Sequence, residues 1–194
     1  LILKKSDGVR MMRDLEEFAG LAPSDLLDRL GMTGPPYDPF AIAEKLGVEV
    51  CTELDSFEQL EVSGEIHVKN GNIKMWINPT EVSYRRRFTA AHELGHLVHD
   101  IIPAMNSGRD LDFVDRHARD GSINPVERRA NDYAAKLLMP AQKVIDEAKT
   151  VISEYKESRS DDLITADELS IELSNRFDVS KQAMQIRLRN IGIL

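Results

Sequence analysis

Apolar and small residues recur with helical spacing in two central segments of the chain. Between Ser83 and His99, the residues at this spacing are Phe88, Ala91, Leu94, Gly95 and Val98. A second segment opens at Asn124-Pro125 and continues through Glu127, Ala130, Ala134, Leu137 and Leu138. Because this period gathers apolar residues on one side of a helix, it predicts two helices with one buried side each. Pro140 should kink or end the second helix.

A shorter pattern upstream predicts a β-hairpin. Glu65–Val68 and Ile73–Ile77 flank the sequence Lys69-Asn70-Gly71-Asn72. An Asn-Gly pair accepts the positive φ angles that a tight hairpin turn requires. We therefore expect two antiparallel strands joined at this turn.

The segment before the hairpin predicts one more helix and one more strand. Asp38 is a typical N-cap residue, Pro39 suits the first helical position, and Gly47 suits the helix end. Val48 to Thr52 then favours a strand. Residues 10 to 30 carry apolar residues about every three or four positions, which indicates short helices.

The remaining segments complete the predicted organisation. Ile101 to Ser122 contains Pro, Gly and many charges with weak periodicity, so we expect a long surface connection. A further helix is expected from Ala141, and a small helical unit after the polar residues Ser153–Asp162. We divide the chain into an N-terminal helical extension (residues 1–35), a main domain (36–152) and a C-terminal helical segment (153–194).

Composition limits the chemistry and the partners. Cys51 is the only cysteine, so an intrachain disulfide and a cysteine metal cluster are excluded, and a metal site must use His and carboxylates. The formal net charge of −8 repels nucleic acid on average and favours a protein partner. The apolar runs are too short to cross a bilayer, and Leu1 to Ser6 lacks the apolar core of a secretion signal. We expect a cytoplasmic protein.

The strongest chemical motif lies in the first of the two central helices. His92-Glu93-Leu94-Gly95-His96 matches the pattern H-E-x-x-H. Residues four apart on a helix differ by about 40° and roughly 6 Å, so the two imidazoles can share one ion. Glu93 could take a proton from a water on that ion without filling a ligand position, and zinc lowers the pKa of such a water to about 7. The motif predicts a catalytic zinc site with Glu93 as the base.

A third ligand must come from outside this helix, since catalytic zinc normally has three protein ligands. Glu127 is the leading candidate, and Asn131 lies four residues later on the same face, where its amide could orient a ligand through a hydrogen bond. The other interpretation of Glu127 is structural. With Asn124 as N-cap and Pro125 first, Glu127 occupies the third position of a capping box. The spacing alone leaves the two interpretations balanced.

Other polar residues are weaker candidates. His99 lies within about 20° of His92 on the helix but about 10 Å along the axis, which makes shared coordination awkward. His67 and His117 have less support still. Acyl-transfer chemistry at such a site would also need a group that stabilises the oxyanion, and four residues remain open for this role: Tyr37, Tyr84, Arg87 and His99.

The chain resembles the ImmA/IrrE family of metallopeptidases in two separate segments. The first is Arg87-Phe88-Thr89-Ala90-Ala91-His92-Glu93-Leu94-Gly95-His96, and the second runs from Glu127-Arg128-Arg129-Ala130-Asn131 to Met139-Pro140. Weaker agreement begins at Asp38, so the resemblance covers roughly residues 38 to 145. Tyr133 stands where Phe is more usual. The resemblance implies that Glu127 is the third zinc ligand, with one Zn²⁺ per chain.

The same resemblance implies a fold and a substrate class. Such proteins are compact zincin-like α+β domains, with a small antiparallel sheet against the active-site helix. An edge strand of the predicted hairpin could hold an extended substrate by backbone pairing. Family members are associated with cleaving helix-turn-helix repressors, which derepresses stress-response or mobile-element genes. We expect a zinc endopeptidase that acts on such a protein substrate.

The C-terminal segment supports an alternative. Phe177 to Leu188 resembles a helix-turn-helix core, and similar tails follow the peptidase unit in this family. The chain could therefore be a metal-stabilised regulator that binds a repressor or DNA without proteolysis. From residue 165 onward, however, four acidic residues balance the four basic residues Arg176, Lys181, Arg187 and Arg189. This balance favours packing or partner docking over DNA binding.

Overall fold

The computed structural model describes residues 15–53, 61–69, 71–107, 113–118, 125–158 and 163–194. Its helices are α1 (Pro23–Arg29), α2 (Pro39–Lys45), α3 (Ser83–His96), α4 (Ile102–Asn106), α5 (Pro125–Leu138), α6 (Ala141–Ser158), α7 (Ala166–Phe177) and α8 (Lys181–Asn190). Its strands are β1 (Glu49–Cys51), β2 (Val62–Lys69), β3 (Asn72–Ile77) and β4 (Phe113–Ala118). The predicted α+β class is confirmed. Among these residues, no helix combines the length and the apolar character needed to cross a membrane.

Local sequence signals account for the first half of the fold. The Asp38 side chain accepts a hydrogen bond of 3.0 Å from the backbone N–H of Phe40, which caps α2 as predicted. Gly47 follows α2 with a φ of +73°. The predicted hairpin is present as β2 and β3, and Gly71 in its turn has a φ of +77°. The first 14 residues, where part of the predicted N-terminal helices falls, lie outside the described residues.

The sheet has the order β1-β3-β2-β4. The hairpin strands pair antiparallel, β4 pairs antiparallel with β2, and β1 runs parallel to β3. The sheet is therefore mixed, whereas a purely antiparallel sheet was expected. Both hairpin strands lie inside the sheet, so the hypothesis that the hairpin offers an edge to a substrate is wrong. The outer strands are β1 and β4.

The sheet lies against α3, as the resemblance implied. The two elements approach closely at Gly64 in β2, where a Cβ atom would lie 2.5 Å from Cγ2 of Thr89. Only a glycine lets the strand come this near to the helix. Thr89 and every residue from Ala90 to His96 are buried.

The prediction of a surface connection over residues 101–122 is wrong in two places. Ile102–Asn106 forms α4, with Ile102 and Met105 buried, and Phe113–Ala118 forms β4. The partner strand of β4 is β2, about fifty residues earlier in the chain. Because that pairing is long-range, the local sequence pattern carries no signal for it.

The helix predicted to extend to His99 changes its winding at His96. A π-helical turn covers Leu97–Ile101, and the N–H of Ile102 bonds to the carbonyl of Leu97. In this register the carbonyl of Val98 would accept from residue 103, which is a proline and has no N–H. Instead, the N–H of Gly20 donates to the Val98 carbonyl at 2.8 Å, and Gly20 itself has a φ of +69°. The N-terminal segment is thereby attached directly after α3.

The C-terminal helices pack on the same core. Leu169, Leu173, Phe177, Met184 and Leu188 belong to the hydrophobic cluster that also contains the buried residues of α1, α3 and α5. Helix α6 continues without a break from Ala141 to Ser158, across the boundary expected at residue 152. The division at residues 35 and 152 remains a prediction.

Candidate metal centre

Helices α3 and α5 build the site because they run side by side in opposite directions. A Cβ atom on Gly95 would lie 3.2 Å from both Cα of Ala130 and Cβ of Tyr133. The small residue therefore permits close approach, as the sequence indicated. At this separation His92 faces Asn131 across the helix pair, and His96 faces Glu127.

Three side chains converge between the helices. Nε2 of His92 lies 2.9 Å from Nε2 of His96. The Glu127 carboxylate places Oε2 at 3.3 Å from Nε2 of His92 and Oε1 at 3.4 Å from Nε2 of His96. The donor atoms of the three residues all lie within 4.8 Å of one another. The structure thus brings together the three side chains that the sequence analysis singled out as ligand candidates.

The second nitrogen of each imidazole has its own partner. Nδ1 of His92 lies 3.0 Å from Oδ1 of Asn131, the residue whose amide the sequence analysis expected to orient a ligand. Nδ1 of His96 lies 3.2 Å from Oδ2 of Asp100. An amide oxygen and a carboxylate oxygen only accept hydrogen bonds, so both Nδ1 atoms donate. In the neutral rings the lone pair is then on Nε2, which faces the shared point.

Sequence analysis missed Asp100. The spacing could have indicated this residue, since a carboxylate four residues after His96 lies on the same side of a helix and can accept a hydrogen bond from it. Burial raises the pKa of the Asp100 carboxyl, but hydrogen bonds from His96 and Arg129 outweigh burial, so the net pKa is lowered. The ionised carboxylate also pairs with the guanidinium of Arg129 on α5.

The chemistry of this cluster suits a cation. Two imidazole lone pairs and one carboxylate point toward each other, an arrangement of acceptors that a positive ion stabilises. His92 and His96 are 0% and 1% exposed, whereas the Glu127 side chain is 18% exposed. The cluster is therefore shielded on the helix side and opens at the carboxylate. Two nitrogens and one oxygen form a donor set that zinc accepts.

Glu93 is buried on the same helix, with 1% of its surface exposed. It directly follows His92, so it is rotated by about 100° from that residue and by about 60° from His96. A carboxylate at this position borders the cluster without belonging to the group of three donor residues.

Two of the remaining histidines, His99 and His67, contact other groups. The His99 ring packs edge-on against Tyr133 at a centroid distance of 5.2 Å, and its pKa is lowered by burial and by the charge of Arg129. His67 pairs with Glu65 at 2.9 Å. The side chain of His117 lies outside the described residues, as does Asn124 of the suggested capping box.

The other three oxyanion candidates, Tyr37, Arg87 and Tyr84, lie in different environments. Tyr37 is buried in the core with 2% of its surface exposed. The Arg87 guanidinium donates to the Tyr37 carbonyl at 2.7 Å and to the Asp178 carbonyl at 3.0 Å. Arg87 lies about 140° to 180° from His92 and His96 around the helix, so it points away from the cluster. Tyr84 is half-exposed on α3.

Comparison with known protein families identifies a match over most of the chain. The family model described as Peptidase_M78, IrrE N-terminal-like domain, matches residues 43–189. This range includes α3, α5 and most of the C-terminal helical segment. A comparison with curated proteins gave no match.

Proposed function

The chain belongs to the Peptidase_M78 family of IrrE N-terminal-like domains, which makes it a metallopeptidase by family, and we propose that it is a zinc-dependent endopeptidase. The proposal is carried by one observation, the convergence of His92, His96 and Glu127 on a shared point between α3 and α5. We propose one zinc ion per chain with these three residues as ligands. A bound zinc ion would supply Lewis acidity, polarising a carbonyl and making a water more acidic.

The protein residues around the ion would orient the ligands and transfer the proton. Asn131 and Asp100 accept the Nδ1 protons of the two histidines and so hold both rings in the ligating tautomer. Glu93 is buried beside them and is proposed to accept a proton from the attacking water. It would then return this proton to the amine nitrogen of the leaving peptide. Burial shields this transfer from bulk water.

We propose that the substrate is a specific protein and that this protein is a helix-turn-helix repressor. The choice of a repressor rests on the family resemblance alone. The backbone of the substrate would pair with β4, and not with a strand of the hairpin as the sequence analysis expected. Because β4 is an outer strand of the described sheet, an extended segment could add to it by antiparallel or parallel pairing.

The decisive experiment separates metal binding from hydrolysis. The zinc-loaded protein is incubated with a repressor encoded beside it, and products are read by mass spectrometry. We expect a single cut with the native chain and none with Glu93→Gln, which should retain zinc by elemental analysis. Glu44→Gln, on an exposed position of α2, is the matched control. Normal cleavage by the Glu93 variant would disprove the assigned mechanism.

The alternative of a DNA-binding regulator has less structural support. Three of the four basic residues counted after residue 165 have protein partners. Arg176 pairs with Glu147 and Glu154, Lys181 pairs with Asp167, and the buried Arg187 donates to the Met139 carbonyl at 2.8 Å. These contacts favour a structural use of the segment. DNA binding that survives removal of the metal would support the alternative.

A further inference from the structure

A cavity of about 300 Å³ lies beside α3, toward its N-terminal end. Four elements of the fold contribute to its lining. On α3 the lining includes Arg85, Phe88 and Thr89, and the end of α5 contributes Leu138 and Met139. The size is at the lower end of the range for ligand pockets, which suits one side chain better than a large molecule.

This cavity lies on the same face of α3 as the candidate metal centre, nearer the N-terminus of the helix. Phe88 and Thr89 precede His92 by four and three residues, so they lie on its face of the helix, about 5–6 Å nearer the N-terminus. Ser63 of β2 lines the cavity from the sheet side. Leu138, which lines it from α5, comes eleven residues after Glu127 and lies within about 20° of it around that helix. A chain bound along α3 would therefore pass from the metal centre to the cavity.

The C-terminal helical segment closes the far end. Val179 and Ala183, at the turn between α7 and α8 and in the first turn of α8, belong to the lining. Two buried arginines hold this wall in place. Arg87 binds the Asp178 carbonyl at 3.0 Å, and Arg187 binds the Met139 carbonyl at 2.8 Å. The wall is thus attached to both α3 and α5.

The lining is mainly apolar. It includes the side chains of Phe88, Leu138, Met139, Val179 and Ala183, together with hydroxyl groups from Ser63, Tyr84, Thr89 and Ser180. The Arg85 side chain, half-exposed, pairs with Glu81 at 3.1 Å, so its charge is partly compensated at the rim. An apolar side chain gains free energy when it leaves water for such a surface, whereas a carboxylate or ammonium group loses its hydration.

We propose that this cavity binds an apolar side chain of the substrate close to the scissile bond, and that Ala183 of the C-terminal segment sets the size limit. The proposal rests on the proposed peptidase function for its biological meaning. It gives the helix-turn-helix-like segment a role in substrate selection. Since the segment supplies one wall of the cavity, it acts as part of the peptidase domain.

The first test needs no peptidase activity. Methyl-labelled full-length chain is titrated with the N-acetyl amides of leucine, phenylalanine, aspartate and lysine, and NMR shifts are followed. We expect saturable shifts of the Met139 and Val179 methyl groups with the two apolar amides only. Ala183→Phe should remove them, and Ala166→Phe, exposed at the start of α7, should not. Absent shifts, or equal shifts with the charged amides, would overturn the proposal.

The second test uses cleavage by the zinc-loaded enzyme. Filling the cavity with Ala183→Phe or the smaller Ala183→Leu should lower kcat/KM about 10- to 200-fold at unchanged zinc content. A smaller substrate residue near the cut should restore part of this loss. Unchanged kcat/KM in both folded variants would count against the cavity while leaving the peptidase assignment intact. Conversely, cleavage that persists in Glu93→Gln would refute the peptidase mechanism and leave the NMR result standing.

Discussion

The Nδ1 atom of His96 lies 3.2 Å from Oδ2 of Asp100, one turn later in the chain, while the other Asp100 oxygen pairs with Arg129 on α5. Asp100 sits in the π-helical turn that follows α3. This carboxylate therefore connects three features: the orientation of one ligand candidate, the unusual turn, and the neighbouring helix. Groups that orient a ligand histidine commonly affect metal affinity as well as geometry.

Removing the Asp100 carboxylate should weaken zinc binding. We expect Asp100→Ala to lower zinc affinity about 10- to 100-fold, because His96 loses the acceptor that holds its tautomer. Competition with a chelator of known affinity measures the change. Arg129→Met removes the ion pair but leaves the acceptor, so it should have a smaller effect. Equal affinities for Asp100→Ala and the native chain would show that this contact does not orient His96.

Asn131 should matter to zinc binding through its oxygen. Asn131→Asp retains an acceptor for the Nδ1 proton of His92, whereas Asn131→Ala removes it. We therefore expect zinc affinity to fall more in the alanine variant, by about 10-fold or more. Asp132→Ala, at the exposed neighbouring position, is the control for altering α5. The same affinity in the two Asn131 variants would rule out the hydrogen bond as the cause.

Zinc should stabilise the folded protein only when Glu127 is present. A ligand at about 100 times its dissociation constant raises the free energy of unfolding by about 2.7 kcal/mol. We expect this increase in urea titrations of the native chain and little of it with Glu127→Ala at the same zinc concentration. An equal increase in both proteins would place the zinc outside the proposed site. Chelator treatment of the native chain should reverse the gain.

Gly95 should resist substitution even by alanine. A Cβ atom there would meet the Ala130 backbone and the Tyr133 side chain at 3.2 Å, which would push α5 away from α3. Overpacking costs about 1–3 kcal/mol, against a gain of about 1 kcal/mol from helix propensity. We expect a net loss of up to about 2 kcal/mol in urea unfolding, together with weaker zinc binding.

The matched control for the Gly95→Ala variant is Gly34→Ala. A Cβ atom at Gly34 would meet nothing within 4 Å, and its φ does not lie in the left-handed region. This substitution should leave stability unchanged or raise it slightly. If Gly95→Ala proved as stable as Gly34→Ala and bound zinc normally, close helix contact would not be a requirement of the site.

Some features of this protein follow from local sequence because their causes lie within a few residues. The four-residue spacing of His92 and His96 brings their imidazoles together on any regular helix. Asp38 caps α2 through its own side chain, and Gly71 supplies the positive φ of the hairpin. Each of these features depends on backbone geometry at the residue itself or one turn away, so pattern and spacing were sufficient.

Other features depended on tertiary structure, since their causes lie far apart in the chain. Spacing left Glu127 balanced between a capping box and a ligand, and the packing of α5 on α3 brings its carboxylate to the two histidines. Likewise β4 exists as a strand through its pairing with β2. The two-histidine half of the site follows from the spacing of His92 and His96 alone. Only the packing of distant helices and strands decided where its third side chain lies, and where the cavity at the C-terminal end of α5 forms.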